Sequence, residues 1–192
     1  MMSLSVPMKL TLTALLAAAC LHLTSCNSST SQEASTYMIR PHEVLPIPDS
    51  ARQPKGYTSI FLAGTIDMGK SSDWQQDLYD RFSRTDGRWI LYNPRQLQWD
   101  PTREGEMDYQ VNWELEYLEK ADYILMYILG SSKSPISLLE MGIHDRSGKM
   151  YVICEPDFYR YDNVRITCSY YDIPLFHSME EFWAWDACPF KD

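Results

Sequence analysis

Positive charge is scarce in this chain. Seventeen Lys and Arg stand against 26 Asp and Glu in 192 residues, a net charge of −9. No Lys/Arg cluster interleaves with aromatics, so no nucleic-acid groove is expected, whereas a small ligand such as a free nucleoside remains compatible. Several motifs are missing as well. There is no G-x-G-x-x-G and no G-x-x-x-x-G-K-[ST], which disfavours dinucleotide and nucleoside-triphosphate sites. Without H-E-x-x-H, His42, His144 and His177 read as surface or loop residues, although His144, four after Glu140, could touch it. Without G-x-S-x-G, a serine-hydrolase elbow is removed. Cys154, Cys168 and Cys188 show no C-x-x-C spacing, which argues against zinc and against a dense disulfide framework. One bridge, Cys168 to Cys188, stays open in an oxidising compartment. No metal and no organic cofactor is expected.

What is present begins with a leader. Lys9 precedes an apolar run, Leu10 to Leu23, too short to span a membrane. It ends in Leu23-Thr24-Ser25-Cys26 and then a polar stretch, Asn27 to Gln32. The pattern resembles a bacterial lipoprotein signal, residues 1–26, with Cys26 as the lipidated residue. It implies a membrane partner through the N-terminal lipid and a location in the bacterial cell envelope. An ordinary secretory signal or a chance apolar leader is the alternative. Residues 27–56 hold Pro41, Pro46, Pro48 and Pro54 among Ser, Thr and Gln, and read as a tether and lead-in.

Residues 57–192 carry the composition of a globular domain, the whole chain being 45% hydrophobic and 13% aromatic. Short apolar runs at Ser59–Ala63, Trp89–Tyr92, Tyr123–Tyr127 and Met150–Cys154 alternate with helical patterns at 73–82, 107–120, 136–145 and 179–185. Ile173 to Phe176 adds a short strand, confined to an edge by Pro174. The alternation predicts an α/β domain with a parallel sheet of about five strands, and ligands then bind beyond the strands' carboxyl ends. Those ends carry Gly64-Thr65-Ile66-Asp67, Asn93-Pro94-Arg95 and the segment Gly130 to Ser134.

Two acids stand out. Ser134-Pro135 reads as an N-cap and first helical position, and Glu140 then falls between Ile136 and Ile143 on an apolar stripe. Glu114 likewise borders the apolar side of its helix, expected as Val111, Leu115 and Leu118, with Gln110 and Tyr117 at neighbouring spacings. A carboxyl placed so loses hydration, and function is one compensation. Two carboxyls on one cleft, one ionised and one protonated, are a means of breaking a glycosidic bond. The alternative is a surface ion pair with Arg for each.

Phe61-Leu62-Ala63-Gly64, Asn93-Pro94-Arg95, Trp99-Asp100, Gln110-x-x-Trp113-Glu114, Ala121-Asp122, Leu139-Glu140-Met141-Gly142 and Gly148-Lys149 occur in that order. Together they resemble the nucleoside 2-deoxyribosyltransferase superfamily, in its nucleoside 2-deoxyribosyltransferase-like branch. The resemblance implies a three-layer Rossmann-like (flavodoxin-like) fold and a small nucleoside-like substrate. It implies cleavage of an N-glycosidic bond, by transfer or hydrolysis, through a covalent glycosyl-Glu intermediate. Glu140 takes the nucleophile's place, and Glu114 or Asp67 donates the proton. Phe61, Gly64, Thr65, Asn93, Gln110, Trp113, Ser134 and Asn163 take substrate-contacting places. The family completes its sites across subunits, which leaves homo-oligomerisation open. Phe61 stands where a Tyr orients the nucleophile, leaving Tyr123 or Tyr127 to supply a phenol, and Ser134 stands where the sugar-binding Asp would be. A non-catalytic surface lipoprotein binding a nucleoside-like ligand or a protein is the alternative.

Overall fold

In the computed structural model, residues 36–43 and 56–191 are described. Cys26 and the leader lie outside them, as does most of the stretch read as a tether. Six strands form one all-parallel sheet: β1 (Thr36–Ile39), β2 (Thr58–Gly64), β3 (Trp89–Tyr92), β4 (Tyr123–Ile128), β5 (Met150–Cys154) and β6 (Leu175–Phe176). Among the described residues, five α-helices connect or flank them: α1 (Trp74–Phe82), α2 (Glu106–Lys120), α3 (Pro135–His144), α4 (Tyr161–Tyr170) and α5 (Met179–Ala184).

The spatial order is β1-β3-β2-β4-β5-β6. From β2 the chain steps out to β3, then crosses back to β4 and continues outward. Leaving β1 aside, this is the flavodoxin-like order, and its switch point lies between β2 and β4. The register Ile60↔Tyr123 through Gly64↔Tyr127 brings those two strand ends level.

The β2 side chains alternate between two cores. Phe61 and Ala63 join Trp113, Leu118, Met141 and Val164, so α2, α3 and α4 cover that face. Ile60 and Leu62 join Trp74, Leu78, Phe82, Phe182 and Phe190, under α1, α5 and the C-terminal segment. Three layers result, with the sheet buried on both sides, which is why its strands read as continuous apolar runs.

The sheet departs from the sequence reading in its strand count. Strand β1 lies within the stretch read as tether, and its four residues pair with β3. Thr-Tyr-Met-Ile is too short a run beside Pro41 to announce a strand; its stability comes from docking on an open sheet edge. The cysteine bridge does not form either. Cys154, Cys168 and Cys188 are free and buried, and Cys168 and Cys188 belong to opposite faces of the sheet. The edge position of the strand at Pro174 is as expected.

Local chemistry fixes the end of α2 at the strands' amino ends and the close approach of β2 and β4 at their carboxyl ends. Lys149 Nζ donates to the carbonyls of Leu118, Glu119 and Ala121 at 2.6, 3.0 and 3.1 Å, capping the C-terminus of α2. Gly64, at φ 129°, ends β2 where a Cβ would stand 2.1 Å from the Tyr127 carbonyl oxygen. Only glycine allows β2 and β4 to approach so closely there.

Candidate active site

Helices α2 and α3 turn their polar residues inward. On α3 the buried residues are Ser137, Glu140, Met141 and His144, while Ile136, Leu139 and Ile143 are 58, 60 and 51% exposed. On α2 the buried residues are Glu106, Gln110, Trp113 and Leu118, while Met107, Val111 and Leu115 face out. Of the apolar stripes expected to point at the core, Val111 and Leu115 on α2 and Ile136 and Ile143 on α3 point at solvent, while Leu118 is buried as expected. Periodicity found a two-sided helix in each case and put these four positions on the wrong side, because the inward sides also carry the polar residues Glu106, Gln110, Ser137 and Glu140.

Glu140 is 7% exposed. Among the described residues no ion pair or hydrogen bond reaches its carboxyl, so no surface Arg claims it. Burial and the nearby Glu114 push its pKa up to about 8. Glu114, half-buried on α2, is also raised by burial, but a hydrogen bond from Gln110 Nε2 to its Oε1 at 2.7 Å pulls the other way. Glu140 therefore keeps its proton near neutrality, with the Glu114 charge reinforcing the effect of burial. The hydrogen-bonded Glu114 is the better place for the charge, and the unpartnered Glu140 the better place for the proton.

A triangle of hydroxyls lies just beyond the β2 and β4 ends. Thr65 Oγ1 lies 3.0 Å from Ser132 Oγ and 2.7 Å from Ser134 Oγ, and the two serines are 2.8 Å apart. All three are buried, and Leu129 N donates to Thr65 Oγ1. Ser134 occupies the N-cap position of α3 in a left-handed conformation, but its side chain makes no cap bond, because it is drawn into this triangle. Gly130 N donates to Glu155 Oε2, which holds the loop between β4 and α3 against the end of β5.

The other expected site residues divide. Phe61 is fully buried on the face beneath α2 and packs on Trp113, itself buried against Tyr117. Asn93 is spent on the Arg95 backbone N–H and on Met38 Sδ, so it braces the turn after β3 against β1. Gln110 is spent on Gln96, Pro94 and Glu114. Asp67 lies exposed in a 3-10 turn after β2, without a side-chain partner among the described residues, and is not brought to the carboxyl pair. Asn163 is exposed on α4 and lines a separate groove of about 300 Å³ between α3 and α4, with Leu138, Met141 and Arg160. Tyr127 gives its hydroxyl to Glu155, and both Tyr123 and Tyr127 face the α1 side of the sheet. Neither supplies a phenol to Glu140. His144, read as a surface or loop residue, is buried on α3 and makes no hydrogen bond to Glu140; its Nε2 is buried without a hydrogen-bond partner, with Glu119 and Lys149 as the charges around it.

Glu106 and Gln96 were not anticipated. Glu106 is 2% exposed and is held by His42, Arg103 and Gln96. The signal for it was present: Glu106, Gln110 and Glu114 recur every fourth residue on one side of α2. No three His, Cys, Asp or Glu side chains among the described residues assemble as a metal site. No described helix is long and apolar enough to cross a membrane.

Comparison with known proteins agrees with this architecture. A family model described as "Nucleoside 2-deoxyribosyltransferase like" matches residues 57–158, more than half of the chain. It spans β2 to the loop after β5, and so includes α2 and α3 with Glu114 and Glu140. No curated protein matches the chain.

Proposed function

The chain belongs to the nucleoside 2-deoxyribosyltransferase-like family, and from that premise we propose that Glu140 and Glu114 together cleave the N-glycosidic bond of a small nucleoside. Membership implies glycosyl transfer as the type of reaction and a nucleoside as the type of substrate. The observation that carries the residue assignment is the buried, ion-pair-free Glu140, whose pKa burial and the Glu114 charge both raise.

The resting pair carries one proton, on Glu140. As the substrate binds, the proton moves from Glu140 to Glu114. The Glu140 carboxylate attacks the anomeric carbon, forming a C–O bond as the C–N bond to the base breaks. Glu114 gives its proton to the departing nitrogen. A second base, or water, then loses a proton to Glu114 and attacks the same carbon, releasing Glu140. Glu114 returns the proton, and the pair is restored. Asp67, exposed on its turn, is not needed in this cycle.

Incubation of the purified globular region with deoxynucleosides and free bases tests this. Base release or exchange is expected, and it should be abolished in Glu140→Ala. Absence of turnover on every nucleoside, with Glu140→Ala indistinguishable from the parent, overturns it. A ligand-binding protein without turnover is the second reading, favoured by Phe61 in place of a phenol and by Ser134 being tied into the hydroxyl triangle.

Self-association belongs to the same proposal. Met107, Val111 and Leu115 of α2 and Ile136, Leu139 and Ile143 of α3 expose an apolar surface beside the cleft. A second copy would cover it and exclude water, which favours transfer over hydrolysis. Sedimentation should show an oligomer that Leu139→Glu with Ile143→Glu dissociates; a monomeric parent protein overturns this part. Lipid attachment at Cys26 and an envelope location rest on the pattern Leu23 to Cys26 alone. Persistence of Cys26→Ser in the membrane fraction would contradict them.

A further inference from the structure

Between Glu106 and Glu114 runs a chain of side-chain amides. Gln96 Nε2 donates to Glu106 Oε1 and to Gln110 Oε1, both at 2.7 Å. Gln110 Nε2 donates to the Pro94 carbonyl at 2.9 Å and to Glu114 Oε1 at 2.7 Å. A side-chain amide has two N–H donors, so both amides are used up, and their sense is locked at each end by groups that only accept. A reversed Gln110 would set its carbonyl against the Pro94 carbonyl and its amine against the Gln96 amine. At the far end Glu106 is held as an anion by Arg103 Nη1 at 3.0 Å and by His42 Nε2 at 3.0 Å, whose ring stacks on Tyr109.

We propose that Gln110, braced by Gln96 and Glu106, is a positioning residue that keeps a donor on Glu114 Oε1, making Glu114 the charged member of the carboxyl pair before substrate arrives. A donated hydrogen bond stabilises a carboxylate over the acid. Glu140 has no such donor, so the single proton stays on it. Because Oε1 is occupied, the proton that Glu114 later accepts and passes on goes to Oε2. The charges around Glu114 do not offer a competing device. Glu140, which holds the proton, is the titratable side chain that interacts with it from α3. In the turn after β3, Arg95 points away, to Ser71, Ser72, Gln75 and Asp73. Gln110 thereby has a role other than the substrate contact expected of it, and Gln96 and Glu106 acquire one. The role rests on Glu114 and Glu140 acting as a pair, as proposed above.

The test reads the proton directly rather than turnover. Carbon-13 NMR of the glutamate carboxyls, assigned with Glu114→Gln and Glu140→Gln, is recorded from pH 4 to pH 10 in the parent and in Gln110→Met, which keeps the volume and removes the donor. The Glu114 midpoint should rise by about one pH unit and the Glu140 midpoint should fall, the value of roughly one hydrogen bond. Gln96→Met should move both midpoints in the same directions by less. It serves as the deciding variant if Gln110→Met does not fold. Unchanged midpoints in the folded variant overturn the proposal. Because the readout needs no substrate, a protein without turnover would still answer it, and a turning-over protein with unmoved midpoints would refute the relay alone.

Discussion

Replacing Glu140 by Gln should stabilise the protein, and by an amount that grows with pH. A carboxyl whose folded pKa is about 8, against an ordinary 4.5, binds its proton more tightly folded than unfolded. Its contribution is therefore fully present below pH 4.5 and is lost as pH rises toward 8, above which the loss is complete. At about 1.36 kcal/mol per pH unit the whole loss is about 5 kcal/mol, a large share of the roughly 5–15 kcal/mol that holds a domain folded. Gln keeps the shape and cannot ionise. Its buried amide costs about 1–3 kcal/mol, but that cost does not vary with pH. The stability gap between Glu140→Gln and the parent should therefore widen in favour of Gln by about 3–4 kcal/mol between pH 5 and pH 8. Urea unfolding of both proteins at several pH values measures this. A gap that stays flat across the range would mean that Glu140 ionises as freely folded as unfolded, and the site as described would not exist.

The pH profile of kcat/KM should fall above about pH 8, where the pair loses its single proton, and Glu140→Asp should keep that limb while Glu114→Gln removes proton delivery to poor leaving bases. Gly64→Ala should cost more than about 3 kcal/mol in chemical unfolding, since its Cβ would meet the Tyr127 backbone in a conformation that L residues avoid. Lys149→Met should cost about 2 kcal/mol by leaving the Leu118, Glu119 and Ala121 carbonyls without their charged donor. An unchanged unfolding midpoint in either variant would contradict the packing described.

Much of the fold was legible because buried parallel strands leave uninterrupted apolar runs. Ile60 to Ala63, Trp89 to Tyr92 and Met150 to Cys154 needed no tertiary information to be seen. Strand β1 was not legible, since its four residues gain their order from β3 alone. Glu140 was found for a reason that proved partly mistaken. It is buried, but beside Ser137 and His144 and not on the Ile136 and Ile143 stripe. Amphipathicity states that a helix has two sides; it does not say which side meets a cleft and which meets solvent or another copy. Gln96 was illegible because a loop glutamine carries no periodicity, and its role exists only once β3 delivers it beside α2. Asn93 and Asp67 followed from strand-end position alone, and side-chain geometry gave one to the scaffold and left the other in solvent.

The covalent role of Glu140 is tested most directly by intact-protein and peptide mass spectrometry after rapid acid quench with a nucleoside whose second step is slow. The peptide that contains Glu140 should gain the mass of one glycosyl group, the adduct should be lost in Glu140→Gln, and a free base should discharge it. No adduct despite base release, or an adduct on Glu114 or Asp67, would contradict nucleophilic attack by Glu140.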